Sequence, residues 1–230
     1  MRKLIYDELL NDKYETLNYY KDGKDVLLVC HHDMADRQGK IYVRKDATHG
    51  LVYTTLGTGI LGGDDRAGIA FARRLTKETG CGLLITHGEE SYGEGSRALI
   101  SDNQTFIKSL KKYKVMIGID RQGYDEVVYY ANSDAKLMSI MKKYGYNKNI
   151  GSFSDVSLLG PATGVGSCNI SACYMYQHTK KEIILLEKVD EAYDKMKNMV
   201  LGFMSDNTFY KNVEVKYARG CDKRFLYYDY

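Results

Sequence analysis

Two adjacent glutamates, Glu89 and Glu90, stand in the stretch GLLITHGEESYGEG, residues 82 to 95. Two ionised carboxylates side by side repel each other, so a site that keeps both must give them different roles. A metal ion does this: one carboxylate becomes a ligand and the other a proton shuttle beside it. An isolated Glu-Glu pair is more commonly a solvated turn, and Gly93 and Gly95 supply turn chemistry. Position is what sets this pair apart. Gly82-Leu83-Leu84-Ile85-Thr86 is short, apolar and bounded by glycines, as a buried strand is. Carboxylates at the end of such a strand lie at the rim of an open α/β sheet, where these folds bind ligands.

Other segments carry donors of the same kind. The apolar run Asp25 to Cys30 ends in His31-His32-Asp33. Residues two apart in extended chain point to one side, so His31 and Asp33 share a face. A carboxylate near an imidazole can fix its tautomer and raise its basicity as a ligand. Asp64-Asp65-Arg66 follows a glycine-rich approach and precedes a helical pattern from Ala67 to Leu75, where the ordinary reading of both acids is a helix N-cap. The approach, GTGILGG, lacks the Gly-Lys-Ser/Thr ending of a phosphate loop. Lys114 to Arg121 is a further buried strand, closing on Asp120-Arg121. A late strand, Gly166 to Ser171, leads on to His178, with Glu182 shortly after. His31, Asp64, Glu90, Asp120 and His178 are nitrogen and oxygen donors suited to zinc.

Taken in order, H-x-D, D-D-R-x-G, E-E-x-x-x-x-G, I-D-R and H-x-x-x-E resemble the co-catalytic zinc exopeptidases. LGGDDRAGIA and NISACYMYQHTKKE resemble the tripeptide-aminopeptidase branch most. The resemblance runs from about His31 to Glu182. It implies two zinc ions, with cobalt or manganese fitting the same ligands. Asp64 would bridge them, one ion also held by His31 and Asp120 and the other by Glu90 and His178. Glu89 would be the general base and then the acid, and Asp33 would orient His31. A non-proline cis peptide after the bridging acid, here Asp64-Asp65, belongs to the same expectation.

The activity implied is aminopeptidase or dipeptidase, on a peptide or small amide substrate. A di-zinc amidohydrolase or deacylase acting on a non-peptide or cell-wall amide uses the same chemistry, and an inactive binding protein would use the same scaffold. Many relatives insert a lid or dimerisation domain between the I-D strand and the S-D segment. Here only a few dozen residues separate Asp120 from Asp155, enough for a strand and a helix. That reads as a catalytic domain without the lid, open to substrates with a free amino end. Any homo-oligomer would form by other means.

These residues need elements to hold them. Residues 4 to 20 read as an opening amphipathic helix, and 40 to 55 as two strands around a loop that contains His49. Residues 96 to 112 read as a helix, Glu126 to Ala131 as sheet, and 134 to 144 as a helix stopped by Gly145. Ser154-Asp155 reads as the cap of a helix over 156 to 159, with a substrate contact from Asp155 as the alternative. Glu187 to Met204 reads as a long final helix. The β-prone stretches VEVKY and RFLYYDY after it have no assigned place. Strands alternating with helices imply one α/β domain over residues 1 to 230: a three-layer α/β/α sandwich around a mixed, mostly parallel sheet. Arg66 and Arg121 read as ion-pair partners of nearby acids. Alternation turns His32 and His87 away from the expected ligands, and Cys30 and Cys81 read as inert core.

With 230 residues, 44% hydrophobic and 27% charged, the chain can bury one sizeable core. A net charge of +3 gives no footprint for nucleic acid or an anionic membrane. The lysine- and tyrosine-rich KSLKKYK and MKKYGYNK read as solvated helix faces. Five widely spaced cysteines without a C-x-x-C suit a reducing compartment. The first residues lack the apolar core of a signal peptide, and no run is long enough to span a membrane. A cytoplasmic location is expected.

Overall fold

Six successive buried residues, Val26 to His31, form the strand on which the fold is built. A strand buried on both faces must be covered by helices on both sides, and its continuous apolar run reflects that. The computed structural model describes residues 1–10, 18–35, 43–46, 52–55, 59–130, 132 and 134–213. In chain order the elements are α1 (Arg2–Leu9), β1 (Tyr19–Lys21), β2 (Val26–His31), β3 (Val43–Asp46), β4 (Val52–Thr55), α2 (Gly63–Thr79) and β5 (Gly82–Thr86). There follow α3 (Glu94–Asp102), α4 (Gln104–Ser109), a 3-10 turn (Leu110–Lys112), β6 (Val115–Arg121), β7 (Glu126–Val128), α5 (Ala135–Lys143) and β8 (Asn147–Lys148). The last are α6 (Asp155–Thr163), β9 (Ser167–Ser171), β10 (Tyr174–Met175), β11 (Ile183–Leu185) and α7 (Leu186–Ser205).

The main sheet has seven strands in the order β1-β5-β2-β6-β9-β7-β8. Its centre, β5, β2, β6 and β9, is parallel, while β1 and β7 pair antiparallel with β5 and β9. One face packs Val26, Leu28 and Ile117 against Phe71 of α2 and Met196 and Phe203 of α7. The other packs Leu27, Val29 and Met116 against Ile107 of α4 and Val156 and Leu159 of α6. Each such side chain contributes about 1.5–3 kcal/mol by leaving water. The result is the three-layer α/β arrangement expected. A smaller antiparallel sheet, β10-β11-β4-β3, lies beside it.

Because β2, β5 and β6 run parallel, their C-terminal ends, and the side chains just beyond them, gather at one edge. β6 also carries an irregularity there. Gly118 pairs with Asn169 and Arg121 with Ser171, so β6 takes an extra residue where β9 does not, a β-bulge.

Three expectations are corrected. The opening helix stops at Leu9, and Tyr19 to Lys21 form an edge strand instead. Apolar spacing alone could not exclude a strand there, and pairing with β5 satisfies that backbone. The helix over 96 to 112 is broken at Asn103, whose side chain accepts from Phe106 N at 3.0 Å and starts a new helix. Asp155 is neither a cap nor an open substrate contact. It is buried and accepts from Ser96 Oγ at 2.5 Å and from the Thr86 hydroxyl. His49 and nearly all of the two late β-prone stretches lie outside the described residues.

Candidate metal centre

β2 delivers His31 at its last position and Asp33 two residues on. The His31 ring is fixed from behind: Nδ1 lies 3.1 Å from the Asp33 carbonyl oxygen and 3.5 Å from its carboxylate. An Nδ1–H donating to that carbonyl turns Nε2 forward, to 2.9 Å from Asp64 Oδ1 and 3.4 Å from Asp120 Oδ1. Asp33 has a second task that spacing did not reveal. Its Oδ1 accepts from Glu89 N at 3.2 Å and its Oδ2 from Glu90 N at 3.0 Å. The turn after β5 is thereby tied to the end of β2. Gly88 and Gly93, both at positive φ, bracket that turn, and Gly93 N closes it on Glu89 O at 3.0 Å.

Asp64 enters from the start of α2. The Asp64-Asp65 peptide is cis, and neither residue has helical backbone angles. The two acids are placed differently, although the local pattern reads both as helix caps. Asp65 is fully buried and caps the helix, with Oδ1 accepting from Gly68 N at 3.1 Å and Oδ2 from His31 N at 3.3 Å. Asp64 instead turns to the sheet edge, one oxygen toward each histidine: Oδ1 to His31 Nε2 at 2.9 Å and Oδ2 to His178 Nε2 at 3.2 Å. His178, in the left-handed region at φ 60°, follows β10 and also lies 2.8 Å from Glu90 Oε1.

Several residues to which the sequence reading gave no role hold this centre. Glu182, fully buried, accepts from Gly62 N at 2.7 Å and from Asp64 N at 3.0 Å. Asn169 grips the Asp120 backbone at both ends, accepting from its N at 3.0 Å and donating to its O at 2.7 Å. Tyr174 donates to Asp120 Oδ1 at 3.2 Å. An amide residue, Asn169, between Cys168 and Ile170 in the expected late strand, and an acid directly before the apolar β11, were the available signals.

The electrostatics follow from these contacts. Burial disfavours the charged form of His31, yet Asp120, Asp33 and Asp64 outweigh it and hold the imidazole well above its ordinary range. The Asp64 and Glu90 carboxylates beside His178 raise it to about 10. Burial pushes Asp120 up to about 7, with the Asp64 charge adding to it. Burial also opposes ionisation of Asp64 and Asp33, but the histidines win for Asp64, which ends well below the usual carboxylate range. For Asp33, His31 and the two backbone amides bring the value to about 2. Glu89 goes the other way: burial first, then the Asp120 charge, drive its carboxyl well above the usual range. One carboxylate held ionised and a neighbour primed to keep a proton is how acid–base sites divide their work.

The donor set fits divalent cations. Ligand atoms of His31, Asp64 and Glu90 lie within 4.8 Å of one another, as do those of His31, Asp65 and Asp120. The second grouping includes Asp65, but both its oxygens already accept backbone N–H groups, so Asp64 is the better donor. Glu90 Oε1 carries the sharpest signal. It is buried and accepts no well-formed hydrogen bond, although His178 Nε2 is 2.8 Å away. A carboxylate oxygen and an imidazole nitrogen this close without a hydrogen bond between them fit two donors to one cation. A cavity of about 220 Å³ opens beside them, walled by Asp64, Glu89, Glu90, Asp120, Tyr174 and His178 among others.

Arg121 makes the expected ion pair, Nε to Glu126 Oε2 at 3.0 Å. Arg66 Nη1 donates to the Glu8 carbonyl at 2.8 Å. Cys30 and Cys81 are buried, and burial raises both thiols. Among the described residues no helix is long and apolar enough to cross a membrane.

No protein-family model matches the sequence, nor does any curated protein sequence at a significant level. Solved structures do match. The chain superposes on aminopeptidase PepT from Bacillus cereus with a TM-score of 0.61 at 14% identity, over 88% of this chain and 92% of that one. It superposes on a tripeptidase from Staphylococcus aureus with a TM-score of 0.65 at 13% identity, over 82% and 84%. The chain therefore shares the α/β fold of these peptidases.

Proposed function

We propose that the chain is a metal-dependent peptidase of the aminopeptidase or dipeptidase kind. The observation that carries this reading is the split of Asp64, one oxygen toward His31 and the other toward His178, beside an orphaned Glu90 oxygen. His31 and Asp120 would hold one ion, Glu90 and His178 a second, and Asp64 both. Zinc suits this mixture of imidazole and carboxylate, and cobalt and manganese fit it as well. Two ions held there would lower the pKa of a shared water toward about 7 and offset negative charge growing on an amide oxygen.

The chain's own part is proton transfer and positioning. Glu89 takes a proton at its carboxylate and returns it to the departing amine, a task for which a raised pKa suits it. Asp33 keeps Glu89 and Glu90 in register through their backbone amides. Asn169 and Tyr174 keep Asp120 facing the cavity. The cavity, about 220 Å³, is smaller than the roughly 300–1,000 Å³ of sites for drug-sized ligands and suits a short peptide. The peptidase fold of the two superposed structures supports the same reading.

The test is hydrolysis of short peptides with free amino ends, and of their N-acetylated counterparts, by metal-replete protein. Cleavage of the free-amino set, lost in Glu89→Gln, is expected. Preference for the N-acetylated set would replace the aminopeptidase reading with a deacylase one.

A further inference from the structure

We infer that Arg121 is a specificity-determining residue that receives a carboxylate of the substrate, so that the preferred substrates are short peptides whose second residue carries one. This rests on the peptidase reading above. In regular extended chain Arg121 would point away from Asp120. The bulge changes that: with Gly118 opposite Asn169 and Arg121 opposite Ser171, the extra residue brings Asp120 and Arg121 to the same face. Bulges re-aim side chains in this way next to active sites. Both residues line the cavity that Asp64, Glu90 and His178 also line, and Arg121 is the one lysine or arginine among its described lining residues.

The ion pair with Glu126 does not use up the guanidinium. Glu126 takes Nε at 3.0 Å, and among the described residues the two terminal amino groups have no hydrogen-bond partner. Glu126 therefore fixes the plane of the group while its other edge stays available. Arg121 lines the cavity, and with its side chain 19% exposed it does not lie free in solvent. A guanidinium held by one edge offers two parallel N–H donors, the geometry that matches a carboxylate. The rest of the wall makes the choice of ligand sharper. Asp64, Glu89, Glu90 and Asp120 all repel an anion, so a substrate carboxylate has one favourable place along this wall. That place is beside Asp120, at the end of the cavity toward β7.

The carboxylate can be the C-terminus of a dipeptide or the side chain of an acidic second residue, and three substrates separate them: Ala-Ala, Ala-Ala-amide and Ala-Glu-amide. In metal-replete protein the expected kcat/KM for Ala-Ala exceeds that for Ala-Ala-amide by about 10- to 100-fold, mainly through KM, as loss of a charge-assisted pair implies. Arg121→Gln should bring this ratio close to one, and Arg121→Lys should leave an intermediate value. If the side chain is the source, Ala-Glu-amide rather than Ala-Ala shows the advantage and loses it in Arg121→Gln. An acid-to-amide ratio that is near one in the parent protein for both pairs, or is unchanged by Arg121→Gln, would overturn the assignment. Calorimetric binding of the same three compounds to the Glu89→Gln protein, with and without Arg121→Gln, gives the ratio without turnover. Carboxylate-selective binding through Arg121 with no cleavage of any of them would contradict the peptidase reading and leave the carboxylate site standing.

Discussion

Glu182 follows Asp64 by 118 positions, yet its Oε1 accepts the Asp64 amide at 3.0 Å while Oε2 takes that of Gly62 at 2.7 Å. The segment that brings in His178 is thus anchored to the segment that brings in Asp64. Glutamine at this position would aim an N–H at an N–H. Glu182→Gln is expected to weaken metal binding by about 10- to 100-fold, the usual effect of losing a partner that orients a ligand. It should also destabilise the metal-free protein by about 1–3 kcal/mol. Chelator competition and thermal unfolding measure the two effects. Unaltered metal affinity would mean that Asp64 is held by something else.

Glu89 and Glu90 give opposite expectations despite being neighbours. Glu89→Gln removes a proton carrier, so turnover should fall by about 10²- to 10⁴-fold with metal content unaltered. Glu90→Gln removes the carboxylate charge facing His178 and should lower metal content as well. Parallel metal analysis and kinetics on both variants check this. Equal metal loss in the two would show that the roles are not divided as argued.

In metal-free protein the histidines should make stability fall on the alkaline side. His178, raised to about 10, stabilises the fold fully below its unfolded value near 6.5, and that contribution is lost as pH rises through about 10. His31, also raised, has the same sign. Asp120, raised to about 7, is likewise favourable at low pH and unfavourable once it must ionise. Metal ions take the neutral imidazole and the ionised carboxylate, so loading should relieve the penalty and release protons. Tm measured from pH 6 to pH 9.5 with EDTA and with zinc would show this. A metal-free Tm that is flat or rising across that range would contradict it.

Asp33 acts at the other end of the scale. Its value near 2, below the ordinary 3.8, means a contribution present above about pH 4 and lost as pH falls toward 2. Asp33→Asn should remove that acid-side transition and loosen the turn at Glu89 and Glu90, lowering kcat more than metal content. A variant with the parent's acid unfolding curve would show that the two amide contacts contribute nothing.

The sheet was legible in the sequence where strands are buried on both faces. β2, β5 and β6 appear as unbroken apolar runs, and their parallel order leads to one edge carrying His31, the Glu89-Glu90 turn and Asp120. The exposed edge was not: Tyr19 to Lys21 lacks a buried face to impose a period of two. Short strands such as β10 and β11, two and three residues long, fall below any periodic signal. In the site, residue types and order pointed to candidate donors, and the structure gathers those side chains at the sheet edge. Residue type alone could not divide Asp64 from Asp65, since a cap and a ligand use the same carboxylate; only the resemblance to the zinc exopeptidases singled out Asp64. Residue type also could not show which distant amides Glu182 and Asp33 hold, because hydrogen bonds to backbone leave no trace in it.

The central claim is that Asp64 joins two metal sites. Elemental analysis of protein dialysed against zinc addresses it most directly, comparing the parent with Asp64→Ala. About two ions per chain in the parent, and loss of both rather than one in the variant, is the expected result. A parent that holds no metal under these conditions, or a variant that keeps both ions, would contradict it.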